Sequence, residues 1–242
     1  MLIGMRNAML AGGAAPGPTP AYLGLCFTAE AANSSVQLTA VGSAPAVTLV
    51  KSFDGVNWEA YAVGEVIDLP STGDFVYLAA GEGGNETFGS SSTKHHQFVI
   101  NGLVAASGDI TSLRSFDLEQ TTLASSCYYA MFDGCTGLTS APELPATTLA
   151  DNCYYDMFGG CTGLTSAPEL PATTLASRCY RYMFNGCTNL SLIKVRLTAW
   201  GSQTSSWVSG VSPTGTFYKP TALPEEYGIS KIPTGWTVVN ID

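Results

Sequence analysis

The sequence has few charged residues, and most of them are acidic: 10 lysines and arginines stand against 19 aspartates and glutamates. Binding to nucleic acid relies on Lys and Arg side chains that neutralise phosphates. Since the sequence contains no basic stripe, we expect no nucleic-acid partner. No apolar run approaches the roughly 18 residues of a membrane-spanning helix, so we also expect no membrane insertion.

Local motifs for metal binding and catalysis are absent too. The seven cysteines include no Cys-x-x-Cys pair, and the only histidines, His95 and His96, are adjacent. On a strand, two adjacent side chains point to opposite faces and cannot share one metal ion. We therefore expect no metal, no cofactor and no enzymatic activity. A carbohydrate-active enzyme is a remote alternative, which would need two carboxylates facing each other in a cleft.

What the sequence does contain is an internal repeat of 26 residues. Copies begin at Thr121, Thr147 and Thr173, and the sixteen residues that start at Cys135 and at Cys161 are identical. A unit this short cannot bury its own apolar face, so it must stack on its neighbours. The pattern predicts a short solenoid, an architecture typical of binding and display surfaces.

The positions that stay constant among the copies predict a short helix in each repeat. Cys127, Met131 and Cys135 follow one another in steps of four, with Tyr128 and Phe132 alongside. Such spacing is typical of the buried stripe of an amphipathic helix. The double-proline segment that follows predicts only a very short strand, near residues 138–141.

The cysteines are best interpreted as buried thiols. The two cysteines of each repeat are eight residues apart, roughly 12 Å along a helix, whereas a disulfide needs Cα atoms within about 7 Å. Bridges between neighbouring repeats are geometrically possible but would leave an odd cysteine in each column of three. Small, apolar, buried thiols fit the pattern better.

The rest of the chain predicts β structure. Short apolar segments separated by turn residues indicate an Ig-like antiparallel β-sandwich over residues 21–107. Residues 1–20 are a leader and linker, the solenoid occupies residues 108–198, and residues 199–242 form a β-rich C-terminal cap. The expected fold class is therefore mixed α/β: a sandwich, a short leucine-rich-repeat-like solenoid and a cap.

The repeat CYYAMFDGCTGLTSAPELPATTLA resembles the BspA-type leucine-rich repeats of gut bacterial surface proteins. The preceding β domain is similar to a module that accompanies those repeats, with an S-x-DG-x-x-W turn formed by Ser52, Asp54, Gly55 and Trp58. The C-terminal segments TGTFY and PTGWTVV resemble the cap of the same proteins. The resemblance implies a surface-displayed binding protein.

The leader LIGMRNAMLAGG resembles an N-terminal tag of virion proteins from bacteriophages that infect gut bacteria, and it lacks the apolar run of a signal peptide. This resemblance implies a head or tail fibre or decoration protein on the virion surface, with capsid or tail proteins and a host surface protein or glycan as partners. A homotrimer is one alternative for its assembly, and a bacterial cell-surface leucine-rich-repeat module is the alternative function. The implied anchoring residues are Leu2, Ile3, Met5, Arg6, Asn7, Met9 and Leu10.

Two surfaces of the repeats are candidates for ligand or host binding. The first is the face whose residues vary among copies, which mixes aromatic side chains with charges of both signs, as interfaces do. The alternative is that this face varies because it is exposed to solvent and nothing packs on it. Its candidate residues are Tyr129, Asp133, Tyr155, Asp156, Arg178, Arg181 and Tyr182. The second surface is the opposite edge, with Glu143 and Glu169 beside prolines.

Overall fold

The computed structural model describes residues 24–115 and 122–241, and within them the fold is all-β. Two short 3₁₀ helices, Ile110–Leu113 and Ser202–Thr204, are the only helical segments described. The strands are β1 (Leu25–Ala29), β2 (Ser34–Val41), β3 (Leu49–Ser52), β4 (Glu59–Tyr61), β5 (Val66–Leu69), β6 (Phe75–Ala80), β7 (Gly89–Ser91), β8 (Lys94–Asn101), β9 (Val104–Ser107), β10 (Leu138–Ser140), β11 (Leu192–Lys194), β12 (Thr216–Lys219) and β13 (Thr237–Asn240).

The predicted fold class, mixed α/β with a leucine-rich-repeat solenoid, is wrong. The strands form three open sheets, with the orders β10-β9-β1-β6-β3-β4, β5-β2-β8-β7 and β11-β12-β13. The segments expected to be helices are runs of turns instead. The short strand expected after the first of these segments is present as β10.

The first two sheets share one core. In β5, the buried residues Ile67 and Leu69 alternate with exposed ones, as in sheets with one face covered. In β2, the first three residues are all buried. The ring centroids of Phe27 on β1 and Phe98 on β8 lie 4.9 Å apart, so the two sheets contact each other through aromatic side chains.

Backbone hydrogen bonds explain why the repeats are not helical. The N–H of Tyr128 donates to the carbonyl of Cys153 in the next repeat, at 2.9 Å, whereas the N–H of Tyr129 donates to Ser126 three residues back, at 3.2 Å. This alternation continues along the segment, so every second N–H leaves its own repeat. An α-helix needs all of these groups for its internal ladder, and the chain therefore cannot be helical here.

Every fourth residue of these segments has a left-handed backbone conformation, which closes one turn and begins the next. In the first repeat these residues are Ser126, Ala130 and Gly134, with φ of 57°, 48° and 72°. A non-glycine residue in this region costs roughly 1–2 kcal/mol, which the hydrogen bonds to the next repeat offset. The equivalent residues are Asn152, Asp156 and Gly160, then Arg178, Tyr182 and Gly186.

Stacking of the repeats aligns identical side chains in columns. The ring of Phe158 lies between those of Phe132 and Phe184, with centroid distances of 5.5 and 5.7 Å. Tyr154 occupies the same position between the Tyr128 and Tyr180 rings. All of these rings are buried, so the constant positions form the core, as the sequence predicted.

A fourth, degenerate turn segment lies at the downstream end of the stack. Ser206 and Gly210 repeat the left-handed positions, and the N–H of Phe184 donates to the carbonyl of Trp207 at 2.8 Å. The Trp207 ring lies at the end of both ring columns, stacked on Tyr180 at 6.4 Å and tilted against Phe184 at 6.2 Å. Comparing the repeats with one another does not show this copy, because its only large core residue is tryptophan.

The first repeat is joined to the N-terminal sheets. Strand β10 pairs in parallel with β9, and the N–H of Phe98 on β8 donates to the carbonyl of Met131 at 2.7 Å. The Phe98 and Phe132 rings stack at 5.0 Å. One hydrophobic core therefore runs from the N-terminal sheets into the repeats.

The cysteine thiols occupy the same core. All seven cysteines lie within the described residues and are buried free thiols. The Sγ atoms of Cys161 and Cys187 each lie 3.0 Å from a phenylalanine carbonyl oxygen of the preceding repeat. Burial raises the pKa of Cys135 and Cys187 to about 12, so these groups remain protonated hydrogen-bond donors.

Replacement of Phe158 by alanine should lower the free energy of unfolding by about 3–5 kcal/mol, because it opens a cavity between two repeats. Urea denaturation followed by circular dichroism measures the change. Tyr155→Ala in the same repeat is the matched control, and since its half-buried ring stands at the surface it should cost only about 0.5–1.5 kcal/mol. Equal losses in the two variants would contradict the assignment of Phe158 to the core.

The buried thiols should resist modification in the native protein. With an aromatic disulfide reagent at pH 8, the six repeat cysteines should not react, because thiolates are the reactive form and burial suppresses them. All seven thiols should react after unfolding in guanidinium. Rapid release of six equivalents from the folded protein would show that the repeats are not stacked as described.

Candidate functional site

The face that varies among the repeats carries a continuous row of stacked side chains. Tyr129, Tyr155 and Arg181 hold the same position in three successive repeats. The two tyrosine rings are 4.7 Å apart and nearly parallel, at 11°. The guanidinium carbon of Arg181 lies 5.9 Å from the centroid of the Tyr155 ring, within the range of a cation–π contact.

At one end of this row lies a residue that the sequence did not indicate as part of a binding surface. The ring of His95, on β8, lies 5.4 Å from that of Tyr129. His95 is only 5% exposed, and its Nδ1 has no hydrogen-bond partner within the described chain. Burial lowers the pKa of His95, which favours the neutral imidazole at pH 7. No local signal predicts this contact, because it joins a strand to a repeat 34 residues away.

Tyr182 closes the other end. Its ring meets that of Tyr155 edge to face at 5.6 Å, and its hydroxyl accepts a hydrogen bond from Nη2 of Arg181 at 3.1 Å. The guanidinium carbon of Arg181 also lies 4.9 Å from the Tyr182 ring centroid. We call His95, Tyr129, Tyr155, Arg181 and Tyr182 the aromatic row.

The geometry of the aromatic row decides which groups it can offer to a ligand. Tyr129 has a ring on each side, and Tyr155 lies between Tyr129 and the Arg181–Tyr182 pair. Their ring faces are therefore covered by neighbours, and the ring edges and hydroxyl groups are what these half-buried side chains have left to offer to a ligand. The row is suited to hydrogen bonding and edge contacts, with a guanidinium group held in place by stacking.

Two carboxylates converge beside the row. The Oδ1 atoms of Asp133 and Asp156 lie 2.9 and 2.2 Å from the point where a Cβ atom of residue 159 would stand. Gly159, the counterpart of Asp133 in the next repeat, leaves this space to the two acids. Burial raises the pKa of Asp156 to about 6, and the charge of Asp133 adds to the effect. Burial also raises the pKa of Asp133.

Arg178 is not brought into the row. It is exposed at a left-handed turn position, with φ of 53°. Within the described residues its side chain forms no hydrogen bond, ion pair or ring contact. Among the variable positions predicted for binding, the fold therefore gathers six and leaves Arg178 apart.

The second candidate surface, the opposite edge of the repeats with Glu143 and Glu169, differs from the aromatic row in its chemistry. The carboxylate of Glu169 forms ion pairs with Lys194 at 2.8 Å and Arg196 at 3.0 Å, and these cations lower its pKa. Glu143 is exposed, and its N–H donates to the carbonyl of Gly108 at 2.8 Å. Of these two glutamates, Glu169 is paired, whereas the Glu143 carboxylate forms no ion pair with the described residues.

The predicted anchoring residues, from Leu2 to Leu10, lie outside the described residues. Within the described part of the chain, no group of three or more His, Cys, Asp or Glu side chains is placed to hold a metal ion. No helix in that part is long and apolar enough to cross a membrane. Comparison of the chain with protein-family models, with curated proteins and with solved structures finds no match.

The raised pKa of Asp156 predicts a pH dependence of stability. The folded state holds the proton more tightly than the unfolded state, whose value is near 3.8. Stability that is present at low pH is therefore lost as pH rises from about 4 to about 6. Asp156→Asn should raise the melting temperature relative to the wild type at pH 7, and part of this gain should disappear below pH 4.

Thermal melts of both proteins between pH 3 and pH 8 provide the measurement. Asparagine tolerates the left-handed conformation at least as well as aspartate, which could give a gain that does not depend on pH. Only the pH-dependent part of the difference tests the carboxylate. A constant difference across the range would show that Asp156 ionises normally.

Proposed function

We propose that this chain is a non-enzymatic structural and adhesion protein of a bacteriophage virion, a head or tail fibre or decoration protein. Its N-terminus anchors it to capsid or tail proteins, and its stacked repeats contact a surface protein or glycan of the host cell. The resemblance of the leader and the repeats supports the virion location. The aromatic row is the observation that carries the binding role.

Three properties of the aromatic row support a binding surface rather than a merely solvated face. Its side chains are half-buried or buried, so little conformational entropy remains to be lost on binding. It combines tyrosine with arginine, the residue types that dominate binding energy at protein interfaces. Arg181 and the Asp133–Asp156 pair place both charge signs beside the rings.

The enzymatic alternative has weaker support. Asp133 and Asp156 do converge, but they stand at the surface of the repeats rather than in a cleft. A cleft in the described part of the chain lies elsewhere, in the N-terminal sheets around Lys51 and Trp58. Glycoside hydrolysis needs its two carboxylates on either side of a bound sugar, about 5 Å or more apart, whereas the Oδ1 atoms of both acids lie within 2.9 Å of one point beside Gly159.

A bacterial cell-surface module remains the second candidate function, favoured by the resemblance of the repeats to bacterial surface proteins. Fractionation separates the two candidates. The virion proposal expects the protein to copurify with intact particles, with density in cryo-electron microscopy that joins residues 1–20 to a capsid or tail protein. Recovery from the envelope of uninfected cells, and none from particles, would overturn the virion location in favour of the surface module.

The binding role is tested with the full chain and host cells in a pull-down titration. Arg181→Ala and Tyr155→Ala should each weaken binding about tenfold or more, which corresponds to about 1.4 kcal/mol. Arg178→Ala is the matched control from the same repeat, and it should bind like the wild type because it lies outside the row. Glu143→Ala tests the opposite edge.

Loss of binding in Glu143→Ala alone would move the contact to the opposite edge. Equal losses in Arg178→Ala and Arg181→Ala would indicate a general attraction to cations instead of a built surface. Circular dichroism of each variant confirms that the repeats remain folded.

A further inference from the structure

The N-terminal sheets carry a solvent-open cleft that the aromatic row does not use. It has a volume of about 250 Å³ and is lined by Lys51, Phe53, Asp54, Asn57, Trp58 and Glu59. These residues belong to the ends of β3 and β4 and to the turn between them. Pockets for drug-sized ligands typically measure about 300–1,000 Å³, so this cleft suits a single small ring.

The turn that forms the cleft is held rigid by its own hydrogen bonds. Oδ1 of Asp54 accepts from the N–H groups of Val56 at 2.8 Å and Asn57 at 2.7 Å, and Oδ2 accepts from Nδ2 of Asn57. The hydroxyl of Ser52 accepts from the N–H of Gly55 at 2.9 Å. The backbone that carries Phe53 and leads into Trp58 is therefore fixed before any ligand arrives.

Two aromatic side chains, Phe53 and Trp58, line the cleft, and Nζ of Lys51 lies 5.7 Å from the centroid of the Phe53 ring. Phe53 is 49% exposed, a costly position for a ring that could be buried. Trp58 is half-buried, with its ring 6.5 Å from that of Tyr77. An exposed ring beside a half-buried one offers an apolar wall at the surface.

The polar groups of the cleft include both donors and acceptors. The ammonium group of Lys51 forms ion pairs with Glu59, at 3.4 Å, and Glu65, which use two of its three donors. The amide of Asn57 supplies a donor and an acceptor, and the carboxylates of Asp54 and Glu59 supply further acceptors. Hydroxyl groups of a ligand, which both donate and accept, match this mixture.

We propose that this cleft binds one neutral sugar ring, with an apolar face of the sugar against Phe53 and Trp58 and its hydroxyl groups toward Asn57, Glu59 and Lys51. The single ammonium group of Lys51 pairs with Glu59 and Glu65, and Asp54 adds a third carboxylate to the lining, so the cleft is net acidic and repels sialylated or sulfated sugars. The site is separate from the aromatic row. It does not depend on the proposed function.

The test is an NMR titration of the full chain with methyl glycosides of neutral hexoses and N-acetylhexosamines, and with sialic acid as the charged comparison. A neutral glycoside should shift the indole N–H resonance of Trp58, and sialic acid should not. Phe53→Ala should weaken binding about tenfold or more. Tyr227→Ala is the matched control, since Tyr227 is 48% exposed and lies in the C-terminal part.

The outcomes separate the cleft from the aromatic row. Weakened binding in Phe53→Ala, together with wild-type binding in Tyr155→Ala and Tyr227→Ala, supports the proposal. Binding of a neutral glycoside that is lost only in Tyr155→Ala overturns it and places the sugar on the repeats. No shift with any neutral glycoside, or tighter binding of sialic acid, overturns it as well, whereas host binding through the aromatic row would stand.

Discussion

The structure depends on the alternation of backbone hydrogen bonds in the repeats. One N–H closes a turn within its own repeat, and the next donates to the carbonyl of the following repeat. Since backbone groups cannot be buried unpaired without a cost of about 1–3 kcal/mol each, this pattern holds neighbouring repeats in a single register. It also requires a left-handed residue at every fourth position, which glycine supplies at the end of each run: Gly134, Gly160 and Gly186 lie directly over one another.

The fixed register aligns the side chains of the repeats in two columns, one in the core and one at the surface. On the inner side, phenylalanine and tyrosine rings stack into a core that continues through Phe98 into the N-terminal sheets. On the outer side, the same register places Tyr129, Tyr155 and Arg181 in line. The surface row is therefore positioned by the same hydrogen bonds that stabilise the core, and a ligand would meet groups that need little rearrangement. The cleft around Lys51 and Trp58 follows the same rule on a smaller scale, since hydrogen bonds within the turn fix the backbone that carries its side chains.

Sequence analysis predicted the burial of the constant positions correctly and their secondary structure incorrectly. Cys127, Met131 and Cys135 recur in steps of four and are all buried, as expected. An amphipathic helix and a chain of four-residue turns both place every fourth residue on one side, so periodicity alone could not separate them. Ala130 and Asp156 have a left-handed backbone without being glycine, so their residue types did not indicate the turns. The sequence predicted that the candidate residues of the repeats share one variable face, but it did not predict the place of His95, because the contact of His95 with Tyr129 joins two distant parts of the chain.

The amino-acid sequence by itself determined the repeat length, the number of near-identical copies, the apolar set that must be buried and the low, acidic charge. These properties follow from side-chain chemistry and spacing, which any fold must respect. Only the tertiary structure decided that half of the N–H groups bond to the next repeat, that Trp207 covers the end of the tyrosine and phenylalanine columns and that Asp133 meets Asp156. Each of these contacts depends on groups brought together from separate repeats or sheets. The free energy with which it stabilises the fold is gained only once the repeats have stacked.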